Sequence, residues 1–183
     1  ITISCILIIG KSGLHSSVSL TDGLIAHYTF TGNLNDSSTS INNLTTATTG
    51  VLLDEDRFGN NSSALRLSTA FDFAKSDKNL GLSGNVSHTI SVWLKSGYPN
   101  NNWGTGTIVQ FGDPSQIGGV NALKIESGSS GRIQLWGQYA DYNAPNLGNI
   151  FSNWTHIVYT YSDNIFNSGI YVNGNPASPG FAG

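Results

Sequence analysis

The chain has 183 residues and a mass of 19.4 kDa, the size of a single domain. Only 10% of residues are charged, and a net charge of −3 with eight Lys+Arg leaves no basic footprint for nucleic acid. At 38% hydrophobic and 10% aromatic the chain is too apolar for a disordered one, while 20 Asn, 24 Ser, 15 Thr and 22 Gly supply turn residues in place of helix formers. The composition therefore predicts an all-β domain with many turns.

Residues 1–10 form an apolar run, ITISCILIIG. It is too short for a membrane span, which needs about 20 apolar residues. Followed by small polar residues, it fits the hydrophobic core of a secretory signal peptide, with Ser17-Val18-Ser19 as the cleavage site. Residues 1–20 thus read as a signal-peptide remnant; the competing reading of the same run is an ordinary β-strand. The single cysteine, Cys5, lies within it, so no intrachain disulfide can form.

Residues 24–30 (LIAHYTF) are the next strand candidate, and residues 31–49 follow as a long polar loop with no apolar period. Short candidates come at residues 51–53, 64–67 and 71–74. Residues 89–95 (TISVWLK) carry the strongest strand signal, because Ile90, Val92 and Leu94 share one parity and so one face. Residues 107–111, 122–126, 132–139 and 155–161 continue the series. Residues 170–172 run into Asn173-Gly174, the signature of a type I′ hairpin. Short strands separated by regular turns predict an antiparallel β-sandwich or jelly roll.

Five segments in order carry a family resemblance. They are residues 23–43 (GLIAHYTFTGNLNDSSTSINN), the Asp56-Arg57-Phe58-Gly59-Asn60 turn with Ser63-Ala64, residues 88–95 (HTISVWLK), residues 153–161 (NWTHIVYTY) and residues 170–175 (IYVNGN). Together they resemble laminin-G-like jelly-roll domains, which have the concanavalin A-like lectin/glucanase fold. The resemblance implies that residues 21–183 are such a domain lacking its last strands. The chain departs from the family at Thr39-Ser40-Ile41-Asn42, where the family has Gly-Asn-Gly-Asn and glycine would permit positive φ. It also lacks the family's acidic residues near residues 67–71.

Calcium binding near the residue 33–43 loop is implied by the resemblance, and Asp36 with Asn42 would be its ligands. The residues offer oxygen donors of the right kind, although with one carboxylate. The other reading is an Asn/Asp turn bonded to its own backbone. Glycan binding needs an aromatic platform beside fixed polar groups. Residues 98–103 (YPNNNW) and the stretch from Trp136 to Asn143 hold that mixture. Tyr98, Asn102, Trp103, Tyr142 and Asn143 are the candidate contacts. Trp93 and Trp154 lie inside strong strands and are expected in the core.

No catalytic constellation is visible. The jelly-roll glucanases carry E-x-D-x-x-E on one strand, whereas the only glutamates here are Glu55 and Glu126. G-x-S-x-G is absent. The sequence thus points to a non-enzymatic, secreted or surface-displayed binding module for glycans or extracellular glycoproteins, one part of a longer chain. A spacer or protein-interaction domain, or a fragment of a jelly-roll glycoside hydrolase, is the alternative.

Overall fold

A computed structural model describes residues 1–10, 19, 21–69, 71–76, 78–82, 86–95, 106–112, 120–126, 132–136, 142–143, 152–162, 164–177 and 180–181. Its elements are antiparallel β-strands, with no α-helix among the described residues. In chain order they are β1 (Thr2–Gly10), β2 (Leu24–Tyr28), β3 (Thr45–Thr46), β4 (Val51–Asp54), β5 (Ala64–Leu67), β6 (Ala74–Lys75) and β7 (His88–Lys95). There follow β8 (Gly106–Gly112), β9 (Val120–Glu126), β10 (Arg132–Trp136), β11 (Tyr142–Asn143), β12 (Thr155–Ser162), β13 (Asn164–Val172), β14 (Asn175–Ala177) and β15 (Gly180–Phe181).

The main sheet runs β14-β13-β12-β7-β1-β5-β4, and β2 also pairs with β1. A second sheet runs β15-β11-β10-β9-β8, and β3 pairs with β6. Ile108, Leu123 and Ile133 of the second sheet join one core cluster with the main sheet's apolar residues. The two large sheets therefore share a core, as in a sandwich.

Register explains how that core is filled. Ala26, Ile8, Ile90, Tyr159, Ile170 and Ala177 lie opposite one another in turn across six strands. All six are buried. Strand β7 alternates strictly, with His88, Ile90, Val92 and Leu94 inside. In β1, Ile3 and Ile6 have opposite parity, so a regular strand would expose one of them. The register shifts between Ile3 and Cys5, which leaves both buried at 1% and 6% exposure. Each buried isoleucine contributes about 1.5–3 kcal/mol.

Residues 2–10, whose composition suits a leader, thus form a central strand of the main sheet. The strand expected over residues 170–172 begins earlier, at Asn164. Its hairpin is as expected: Asn173 and Gly174 both have positive φ, 49° and 80°. The Asp56–Asn60 turn also has a local cause. The Asp56 carboxylate accepts from the backbone N–H of Phe58 and Asn60 and from Asn60 Nδ2, and Gly59 takes φ 84°.

Candidate functional site

The residue 33–43 loop is built around Asp36. Its Oδ1 accepts from the backbone N–H of His27 and Ser38, both at 2.8 Å. Its Oδ2 accepts from the Asn42 N–H at 2.8 Å and the Ser38 hydroxyl at 2.7 Å. Burial opposes ionisation of Asp36, but these donors together hold its carboxyl below the usual value. Asn42 is turned inward: Nδ2 donates to the Ile25 carbonyl at 3.1 Å, and its own carbonyl accepts from the Tyr28 hydroxyl at 2.6 Å. Burial, helped by the Asp36 charge, pushes the Tyr28 phenol up to about 12.

The structure therefore brings the two proposed calcium ligands together as the lock of a loop. A cation there would have to displace N–H and O–H donors already seated on the carboxylate. Ile41 shows what the missing glycine costs. It stands where the resembling family has glycine and takes φ 53°. That left-handed backbone is disfavoured for a β-branched residue.

Tyr98, Asn102 and Trp103 lie outside the described residues. The sequence puts them directly after β7. Tyr142 and Asn143 form β11, whose backbone pairs with Leu135 and Gln134 of β10 and with Phe181 and Gly180 of β15. Of the acidic residues 54–56, Asp54 ends β4, Glu55 is exposed and Asp56 is buried. Asp54 pairs with Arg66 at 3.4 Å, and Asp56 caps the following turn.

The outer face of the main sheet carries an arrangement the sequence reading did not foresee. Trp93 was expected in the core. It is only half-buried and points away from Val92 and Leu94. Across the sheet it lies opposite Cys5 on one side and His156 on the other. The His156 ring stacks on it, with centroids 4.9 Å apart and planes 15° apart. The Arg57 guanidinium, from the turn before β5, lies 4.3 Å from the Trp93 ring centre and 4.0 Å from that of Phe58. Phe58 is itself 71% exposed. Histidine, tryptophan, arginine and phenylalanine thus form one layered group on the outer face of the main sheet.

Polar groups surround this stack. Ser91 Oγ lies 2.8 Å from His156 Nε2. The Asn173 side-chain oxygen accepts from the His156 backbone N–H at 2.9 Å. In the adjacent rung stand His27, Leu7, Ser91, Val158 and Tyr171, the last exposed. Burial, with the Arg57 charge behind it, lowers the His156 pKa. The Cys5 thiol is pushed up by burial, against the opposing pull of Arg57.

The Ser91–His156 pair resembles a nucleophile beside a base. Nucleophilic catalysis also needs a group that orients the base and donors for the oxyanion. Among the described residues no carboxylate contacts the pair, and β7 and β12 spend their facing backbone groups on each other. Trp154 is likewise only half-buried.

Sequence reasoning missed the stack although half of its signal was present. Trp93 has the parity opposite to Val92, and His156 the parity opposite to Ile157. What the strand pattern lacks is the register that sets one beside the other, and the turn that lays Arg57 across them. Comparison with protein-family models, curated proteins and solved structures gave no significant match.

Proposed function

We propose that the chain is a non-catalytic binding module for a glycan or extracellular glycoprotein, engaged through the outer face of the main sheet. The observation that carries this reading is the His156–Trp93–Arg57–Phe58 stack. The exposed Phe58 ring offers an apolar plate for the C–H face of a sugar. Arg57, Ser91 and His156 offer donors and acceptors for hydroxyl groups at fixed positions. Ser91, Trp93 and His156 stand on paired strands, a rigid base that costs little ordering entropy on binding. Tyr98, Asn102 and Trp103, from the segment that follows β7, and Tyr142 and Asn143 of β11 are the further candidate contacts.

The ordered motifs that resemble laminin-G-like jelly rolls support the same reading at the level of fold. So does the sandwich of antiparallel sheets. The reading of the chain as secreted or surface-displayed, within a longer protein, rests on that resemblance alone, because residues 2–10 are built into the main sheet as β1 and a cleaved leader would remove them.

A glycan array probed with the full chain, with and without calcium, tests the proposal. Binding to a defined glycan that Phe58→Ala weakens about tenfold or more is the expected result, equivalent to roughly 1.4 kcal/mol. Binding that survives Phe58→Ala but is lost in Trp103→Ala would move the site to the loop. No binding in either condition would favour a spacer or protein-interaction domain. The calcium arm tests Asp36 and Asn42: any calcium-dependent increment should vanish in Asp36→Asn.

A further inference from the structure

The register of the β3–β6 pair reaches beyond the pair itself. Thr45 lies opposite Lys75, and Thr46 opposite Ala74. Carried three residues on, the same antiparallel register sets residue 78 across from residue 42, beside the Asp36 loop. Lys78 stands there. Ser76 Oγ accepts from the Lys78 backbone N–H at 3.2 Å, and Asn79 Oδ1 accepts from the Gly81 N–H at 2.8 Å, so a short turn fixes the root of the side chain. Lys78 Nζ donates to the Ile41 carbonyl at 2.7 Å and to the Ser40 carbonyl at 3.4 Å.

Two successive carbonyls thus converge on one ammonium. In an extended chain they would point to opposite sides, so convergence needs a backbone that folds back between them. The fold-back is at Ile41, whose φ is 53°. The disfavoured backbone of this β-branched residue therefore has a counterpart: the carbonyls it gathers face a cation, and hydrogen bonds to a charged donor are the strong ones.

The loop's other oxygens are engaged as well. The Asp36 carboxylate accepts from four donors, Asn43 Oδ1 accepts from the Asp36 N–H at 3.0 Å, and the Asn42 carbonyl accepts from the Tyr28 hydroxyl. Calcium takes six to eight oxygens. The residues of the loop do not fit it, because these oxygens already accept N–H, O–H or ammonium protons.

We propose that Lys78 is the resident cation of the Asp36 loop: an ammonium carried on the segment after β6 holds the Ser40 and Ile41 carbonyls, and the loop closes without a metal ion. The place that the family resemblance gives to calcium is then filled from within the chain. Order in the loop depends on a side chain 37 residues from Ile41 and not on the concentration of an ion. This holds whatever the outer face of the main sheet binds.

Hydrogen exchange of residues 36–43 in the full chain, followed by mass spectrometry in millimolar calcium and in chelator, tests the proposal. The Ser38 and Asn42 amides report on the loop, since both are bonded to Asp36. Their protection should be the same in the two conditions. Lys78→Met keeps the stem and removes the ammonium; it should speed exchange in the loop about tenfold or more, in either condition. Lys78 is exposed, so the variant leaves the core intact. Lys95→Met, which removes the same charge from the exposed end of β7, should leave loop exchange unchanged. Protection that rises with calcium in the unaltered chain would mean that a metal holds the loop and would overturn the proposal. So would unchanged exchange in Lys78→Met, or an equal loosening in Lys95→Met, which would trace the effect to net charge.

Discussion

The two faces of the main sheet carry histidines in different settings, His88 of β7 on the inner face and His156 of the neighbouring β12 on the outer one. On the inner face His88 is 6% exposed and ringed by Phe111, Tyr159 and Tyr161, with centroids 5.1, 5.7 and 5.3 Å away. Its Nδ1 bonds the Val86 carbonyl at 2.8 Å, and its Nε2 is buried without a partner among the described residues. Burial lowers its pKa, only partly offset by the Val86 bond. Across the sheet His156 is half-buried, bonded to Ser91 and stacked on Trp93. The inner face excludes water and builds stability, while the outer face stays accessible and presents chemistry. One strand serves both because alternate side chains leave it in opposite directions.

The largest effect that separates the faces is a charge placed inside. Val92→Asp should cost more than about 4 kcal/mol, since an unpaired carboxylate would enter the core beside Ile6 and Ile157. Trp93→Ala, one residue away, should cost only about 1–2 kcal/mol, the worth of its stacking and partial burial. Denaturant unfolding of the two variants measures both. Equal losses would show that the outer stack is a second core rather than a surface.

The histidines give the next effect. Their folded pKa values lie below the ordinary 6.5. Above that pH both folded and unfolded chains are neutral at these sites, and stability is full. As pH falls below 6.5 the unfolded chain takes up the protons first, so stability drops until the folded pKa is reached. His88→Phe should flatten that slope more than His156→Gln does, because His88 is the more deeply buried of the two. Melting temperature followed against pH for the three chains would show it. A larger effect from His156 would invert the contrast between the faces.

The smallest effect lies off both faces. Ile41→Gly should stabilise the chain by about 0.5–1 kcal/mol, because relief of the left-handed backbone outweighs the entropy glycine adds to the unfolded state. The Ile41 side chain is 58% exposed, so little burial is lost. A loss of stability would mean that the loop depends on this side chain after all.

Much of the strand set was legible in the sequence, because it rests on local alternation. Residues 89–95 and 155–161 needed only their own parity to be read, and Asn173-Gly174 needed only the backbone preference of two residues. The Asp36 loop was half legible. Its Asn/Asp content announced a turn, but only the arrangement of four donors around one carboxylate shows how its oxygens are used. Trp93 was misplaced because the burial habit of tryptophan outweighed its parity, which pointed outward. The stack itself was not legible, since Arg57, Trp93 and His156 are far apart in the chain.

By itself the sequence determined an all-β chain with few charges, the parity of its strands, and the turns at Asp56–Asn60 and Asn173-Gly174. These follow from side-chain alternation and local backbone energetics, which act over a few residues. Only the tertiary structure decided that residues 2–10 lie between β2 and β7, that Ser4 is bulged, and that Trp93 stands beside His156 under Arg57. Strand pairing is a choice among distant partners with similar local patterns. It is settled by which register buries Ile3, Ile6 and Ile8 in one shared core.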